Sequence, residues 1–132
     1  VLTAGIEITG VVSARPASTA FGACTLQELL PLNTRATYAS TKNGGITIAA
    51  IDPAPPFNLD FEGIIAGRLF AMRLNSGDSI RVTITFASTG PATIPVSDEL
   101  LIHNVNPGDE ITAISFVGAA DISYVLAGDV TP

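Results

Sequence analysis

The stretch NSGDSIRVTITF, Asn75–Phe86, decides the fold class. Ile80, Val82, Ile84 and Phe86 alternate with Arg81, Thr83 and Thr85. A period of two places the four apolar side chains on one face of an extended strand and the Arg and Thr side chains on the other. Most of these residues are β-branched, which favours a pleated, half-buried surface. The Asn-Ser-Gly-Asp before them has turn chemistry: glycine reaches backbone angles that other residues resist, and aspartate bonds nearby N–H groups. The same pattern returns in NPGDEITAISF, Asn106–Phe116, where Pro107 presets the second turn position. Each turn is expected to launch a strand back through the fold.

Similar signals extend in both directions. Phe70, Met72 and Leu74 alternate with Ala71 and Arg73, and Ile46, Ile48 and Ala50 with Thr47 and Ala49. Short strands are expected over 93–96 and 100–103, with a final pair over 111–117 and 122–126. Ile6 and Ile8 point to a first strand within residues 1–13. Prolines in DPAPPFN, 52–58, lack the ladder donor, so that stretch reads as a stiff extended crossing. Phe57, Leu59 and Phe61 then suggest an edge strand. Thr25-Leu26-Gln27-Glu28 has the form of a capping box, and Pro31 follows, so a short helical turn is expected near 25–30. Residues 14–24 and 32–45 have loop or arm composition. The sum is roughly eight short strands with Gly/Pro-rich turns and little helix, which predicts an all-β antiparallel sandwich, jelly-roll-like, in a single domain over 1–132. A connected barrel is the competing form.

The chain has 132 residues, enough to bury a core without metals or disulfides. Only 14 % of residues are charged, so the surface must be mostly Ser, Thr, Asn and backbone. Such a surface suits contact with copies of itself or with a scaffold. The net charge is −6, and Arg15, Arg35, Lys42, Arg68, Arg73 and Arg81 are scattered, which argues against nucleic acid and anionic membranes as partners. No run approaches the roughly eighteen apolar residues of a membrane span. The first residues lack a signal peptide's basic region and long apolar stretch. Cys24 is the lone cysteine, so no intrachain disulfide can form.

Candidate chemistry is sparse. Asp78 and Asp109, with Asp98 or Glu110, could be imagined around calcium, but that ion wants six to eight oxygens in one place and one Asp per turn is few. His103 is the lone histidine and has no G-x-S-x-G elbow beside it. With Cys24 it makes only two zinc-type ligands, at no compact spacing. Asp60/Glu62 and Asp98/Glu99 are paired carboxylates, the first pair on one strand face if 59–62 is extended; acidic neighbours more often solvate a loop than catalyse. Trp is absent, and Tyr38 and Tyr124 are the only tyrosines, a poor platform for stacking on sugars. No residue is assigned as catalytic, cofactor-binding or metal-ligating, and no cofactor is expected.

IHNVNPGDEITAISFVGAADISYVLAGD, together with the preceding NSGDSIRVTITFASTGPATIPV, resembles the closing segments of small β-sandwich structural proteins of tailed bacteriophages. Those proteins often end in a Pro-Gly-Asp turn, an I-T-A-I strand and a last strand like ISYVLA. The resemblance covers about residues 75–129. It implies a β-sandwich, often trimeric, that decorates or cements a capsid or belongs to head fibres or tails, with no cofactor. Pro107, Gly108 and Asp109 then carry over as a strand-opening turn, not a binding site. The proline-rich crossing at 52–58 and the polar N-terminal region depart from that pattern.

The expected function is that of a non-enzymatic virion protein, a capsid decoration or cement protein that forms a homo-oligomer, with a trimer favoured. Its partner would be the major capsid protein or another virion protein. The alternatives are a tail or receptor-binding component recognising its target around Tyr38 or Phe57, a carbohydrate-binding module, and a hydrolase built on His103.

Overall fold

The computed structural model describes residues 4–14, 28–103 and 105–130. The chain divides into two compact units, Gly5–Thr37 and the remainder. In the first, strands β1 (Ala4–Ala14) and β2 (Glu28–Tyr38) form a two-stranded sheet. Glu28–Leu30, expected in a helical turn, are therefore strand, and Pro31 lies within β2. A proline is tolerated where its missing N–H faces away from the ladder, as on the outer side of a two-stranded ribbon. Thr25–Gln27, Cys24 and most of the expected 14–24 arm lie outside the described residues. The 32–45 segment, read as loop or arm, is mostly strand.

The second unit is an all-β fold with one curled antiparallel sheet. Its strands are β3 (Ser40–Ala50), β4 (Phe57–Asn58), β5 (Ala66–Ser76), β6 (Ile80–Phe86), β7 (Gly90–Val96), β8 (Glu99–Ile102) and β9 (Ile111–Asp129). The two strands expected at the C-terminal end are a single strand of nineteen residues. Gly118-Ala119-Ala120 looks like a turn in sequence, but it continues the strand, paired with Ile48–Ala50 of β3, while on the other side β6 gives way to β5. A Cβ on Gly118 would lie 2.9 Å from Ile80 Cγ2, so only glycine lets the strand pass so close to β6.

β9 organises everything else. On one side it pairs with β3 along Gly118–Gly128 and with β4 at Ser115 and Phe116. On its other side it pairs with β6 from Ile111 to Gly118 and with β5 from Asp121 to Asp129. β5 and β6 thus run in the same direction along β9. The Asn75–Ile80 turn does not send the chain back, as the sequence suggested. Ser76 pairs with Asp121 and Ile80 with Gly118, so three residues face two, which is the count of a bulge. The proline-rich 51–56 segment loops out at the same level, between the β3 and β4 pairings. The sheet curls around its own apolar face.

That face is the one the alternation foresaw. Ile80, Val82, Ile84, Phe70, Met72, Ile114, Phe116, Ile122 and Leu126 are all buried. Phe70 of β5 and Phe116 of β9 bring their rings to 6.5 Å, tilted by 47°, and so tie the two bent halves together. Each fully buried Ile, Leu or Phe contributes on the order of 1.5–3 kcal/mol relative to exposure. The edge strand expected from Phe57, Leu59 and Phe61 shrinks to two residues. Leu59 is buried, but residues 61–63 form a turn.

Candidate functional site

An open groove of about 550 Å³ runs across β3, β9, β5 and β8. Residues 43–44, 71–73, 99–101 and 123–125 meet there because register brings them to one row: Ala71 lies opposite Val125 and Leu101, and Arg73 opposite Ser123 and Glu99. Ala71, Ser123, Val125 and the exposed Leu101 line it, with Arg73 and Glu99 opposite each other across β5 and β8.

His103 follows β8 and borders a smaller cavity of about 230 Å³ with Phe86, Thr89 and Asp109. Its Nδ1 is buried and has no hydrogen-bond partner among the described residues. Asp109 is the carboxylate lining this cavity, and its oxygens are committed elsewhere. Oδ1 accepts the Ser88 N–H at 2.7 Å and the Thr89 N–H at 2.8 Å, and Oδ2 accepts the Thr89 hydroxyl. The Thr89 hydroxyl, then the two N–H groups, hold its pKa below the usual carboxylate range. Glu110 turns back to accept the Gly108 N–H at 2.9 Å, which lowers its pKa in the same way. Asp109 thus fastens the segment before β9 to the β6–β7 hairpin, and Glu110 braces the turn within that segment.

The residues once grouped around calcium do not converge. Asp78 and Asp98 lie by the bend of the sheet, whereas Asp109 and Glu110 lie by the far end of β6, roughly 20 Å away at about 3.3 Å per strand residue. Among the described residues no group of three or more His, Cys, Asp or Glu is placed to hold a metal ion. Asp60 and Glu62 do not share a strand face either. Asp60 Oδ1 accepts the Glu62 N–H at 2.9 Å within a turn, and Glu62 pairs with Lys42 at 3.2 Å. Burial works against the Lys42 charge, but the Glu62 hydrogen bond and the nearby Tyr124 and Asp60 outweigh it and raise the pKa. Tyr124 is only 6 % exposed, its ring lying over Gly44, and offers no sugar platform.

Sequence reading missed one polar constellation. Asp121 Oδ1 accepts the Thr47 hydroxyl at 2.7 Å and Oδ2 the Ser76 hydroxyl at 2.9 Å. Both hydroxyls hold the Asp121 pKa low. The three residues sit on β3, β5 and β9, and only the register reveals them.

Around these features the outward face of the β6–β7–β9 half is mostly small and, apart from Arg81, uncharged. Thr83, Thr93 and Ser115 lie across one row, and the Thr83 and Thr93 hydroxyls are 2.9 Å apart. Arg81, beside them, is paired with Asp52 of the proline-rich loop. Ile51, Phe57, Ile65 and Leu101 are large apolar side chains left exposed. No helix among the described residues is long and apolar enough to cross a membrane. Comparison with known proteins gave no match among family models, curated proteins or solved structures.

Proposed function

We propose that this protein is a non-enzymatic structural component of a tailed-phage particle, a capsid decoration or cement protein that works by surface contact. The observation that carries this reading is the outward face of the sheet. Its Thr, Ser and Ala side chains lose little solvation when covered, since few carry charge. Exposed Ile51, Phe57, Ile65 and Leu101 add apolar area around it. The resemblance of residues 75–129 to phage sandwich proteins supports the same reading. It also supplies the finer form of the fold, a jelly-roll-like sandwich, and the trimer as the favoured order. The partner is then the major capsid protein, and the site of action the virion.

The test is binding to purified tailed-phage shells lacking their decoration protein, followed by imaging. Saturable binding in fixed ratio to capsid subunits, with a raised shell melting temperature, is the expected result. Protein that stays in the supernatant at high concentration sinks the proposal. A tail or receptor-binding role is the second reading, favoured by Ile51 and Phe57, which are 60 % and 37 % exposed at the two ends of the proline-rich loop. Labelling confined to tail tips in the same images would select it.

A further inference from the structure

The sheet has strand edges of very different character. On β7, Pro91 and Pro95 stand opposite Thr85 and Arg81. Their missing donors face outward and leave Thr93 as the one N–H between them, which blunts that edge. β8 has four residues and β4 two. β3 has eleven residues and no proline, and among the described residues no strand pairs along its outer side.

Backbone parity shows which groups that edge offers. The Ile65 N–H donates to the Asp129 carbonyl at 2.9 Å, so odd-numbered β9 residues turn their backbone groups toward β5. Even-numbered ones turn toward β3, where Gly44 stands opposite Tyr124 and Ile46 opposite Ile122. Thr41, Asn43, Gly45 and Thr47 therefore aim their N–H and C=O groups away from the sheet. Asn43, Gly45 and Thr47 are exposed.

We infer that β3 is an assembly edge, which pairs antiparallel with β3 of a second copy about a twofold axis at Gly45. Three features favour a second copy as the occupant. First, the outward-aimed groups of Asn43, Gly45 and Thr47 are symmetric about Gly45, so one register joins them all: Gly45 to Gly45, and Asn43 to Thr47 twice. Second, the side chains fit. The Thr47 hydroxyl already donates to Asp121, which leaves its lone pairs free to accept from the Asn43 amide of the other copy. Third, β3 carries no carboxylate in a chain of net charge −6, and its lysine is paired with Glu62, so like charges do not meet. This contact rests on the reading as an assembling protein but specifies a twofold junction, which would join subunits or trimers in pairs.

Two substitutions test it. Gly45→Lys fits the fold, because an added Cβ meets nothing closer than the Ile122 carbonyl at 3.7 Å. It sets two lysines against each other on the axis. Gly45→Pro deletes both central N–H donors without adding charge, at an edge position that tolerates proline. Light scattering should find an even number of copies for the unmodified protein and half that mass for either variant. The dissociation constant should rise about 100-fold for Gly45→Lys, with partial recovery in high salt for that variant alone. Ala87→Lys, exposed in the β6–β7 hairpin, should leave the mass unchanged. Amide exchange should slow at Asn43, Gly45 and Thr47 on raising the concentration of unmodified protein. An odd number of copies, a monomer throughout, or a mass that Gly45→Pro leaves intact overturns the inference. Shell binding, scored separately on the same variants, decides the functional proposal.

Discussion

The two Asn-x-Gly-Asp-x-Ile turns are near copies in sequence and opposites in structure. At Asn106–Asp109 the Asp109 N–H bonds the Asn106 carbonyl at 3.0 Å, with Pro107 second and Gly108 third at φ +85°. That is a tight turn of the expected kind. Gly108 faces open space, and Asp109 does the fastening. At Asn75–Asp78 the roles reverse. Gly77, at φ +99°, is pressed against β9, and a Cβ there would lie 2.6 Å from the Ala119 carbonyl and 2.9 Å from Ala120 Cβ. No hydrogen bond to the Asp78 carboxylate occurs among the described residues. A local motif sets local dihedral angles. What those angles achieve depends on which strand lies opposite.

The largest effect should come from the glycines. Gly77→Ala meets both an unfavourable φ and a backbone collision that cannot be relieved by rotating a side chain. It should cost about 3–5 kcal/mol, by strain and overpacking together. Gly108→Ala meets only the unfavourable φ and should cost about 1–2 kcal/mol. Urea denaturation of both variants measures the difference. Equal losses would mean that the close approach of β9 at Gly77 does not matter.

The same contrast marks the limit of what sequence could reveal. The alternation in Ile80–Phe86 and Phe70–Leu74 placed the core face correctly, because period two depends only on neighbours along the strand. The hydrogen-bonded turn at Pro107-Gly108 was readable for the same reason. The bulge at Gly77 was not, since it exists only relative to Ala119 and Ala120 more than forty residues on. Nor was the continuity of β9: three small residues at 118–120 carry turn composition, and only the ladder with β3 keeps them extended. The Thr47–Asp121–Ser76 cluster and the groove at Ala71 and Val125 depend on cross-strand register in the same way. Pro31 misled in the other direction, because a proline ends a helix but is tolerated on a strand edge.

The aspartates come next. Asp109→Ala removes the acceptor for two N–H groups and a hydroxyl that join two separate loops. It should lower the melting temperature by several degrees, on the order expected for losing more than one charge-assisted hydrogen bond. Thr89→Val, which deletes the hydroxyl but keeps both N–H groups, should give a smaller part of that drop. If the two variants melt alike, the hydroxyl carries the clamp.

Acid should separate the turns by the smallest margin, and its sign follows from the direction of the shift. Hydrogen bonds to ionised Asp109 hold its folded pKa below the ordinary 3.8. The unfolded chain therefore takes up the proton first. The stabilisation is fully present above the ordinary value and disappears as pH falls through the depressed folded value. Asp121 and Glu110 contribute in the same direction. The unmodified protein should lose stability steadily on acidification below about pH 4. In Asp109→Ala that slope should be shallower, because one of the three shifted carboxyls among the described residues is gone. Asp78→Ala, by contrast, removes a carboxylate that no donor among the described residues holds, and its melting temperature at neutral pH should stay within about a degree of the unmodified protein's. A drop as large as that of Asp109→Ala would put a carboxylate clamp at both turns, and the division of labour between glycine and aspartate would fail.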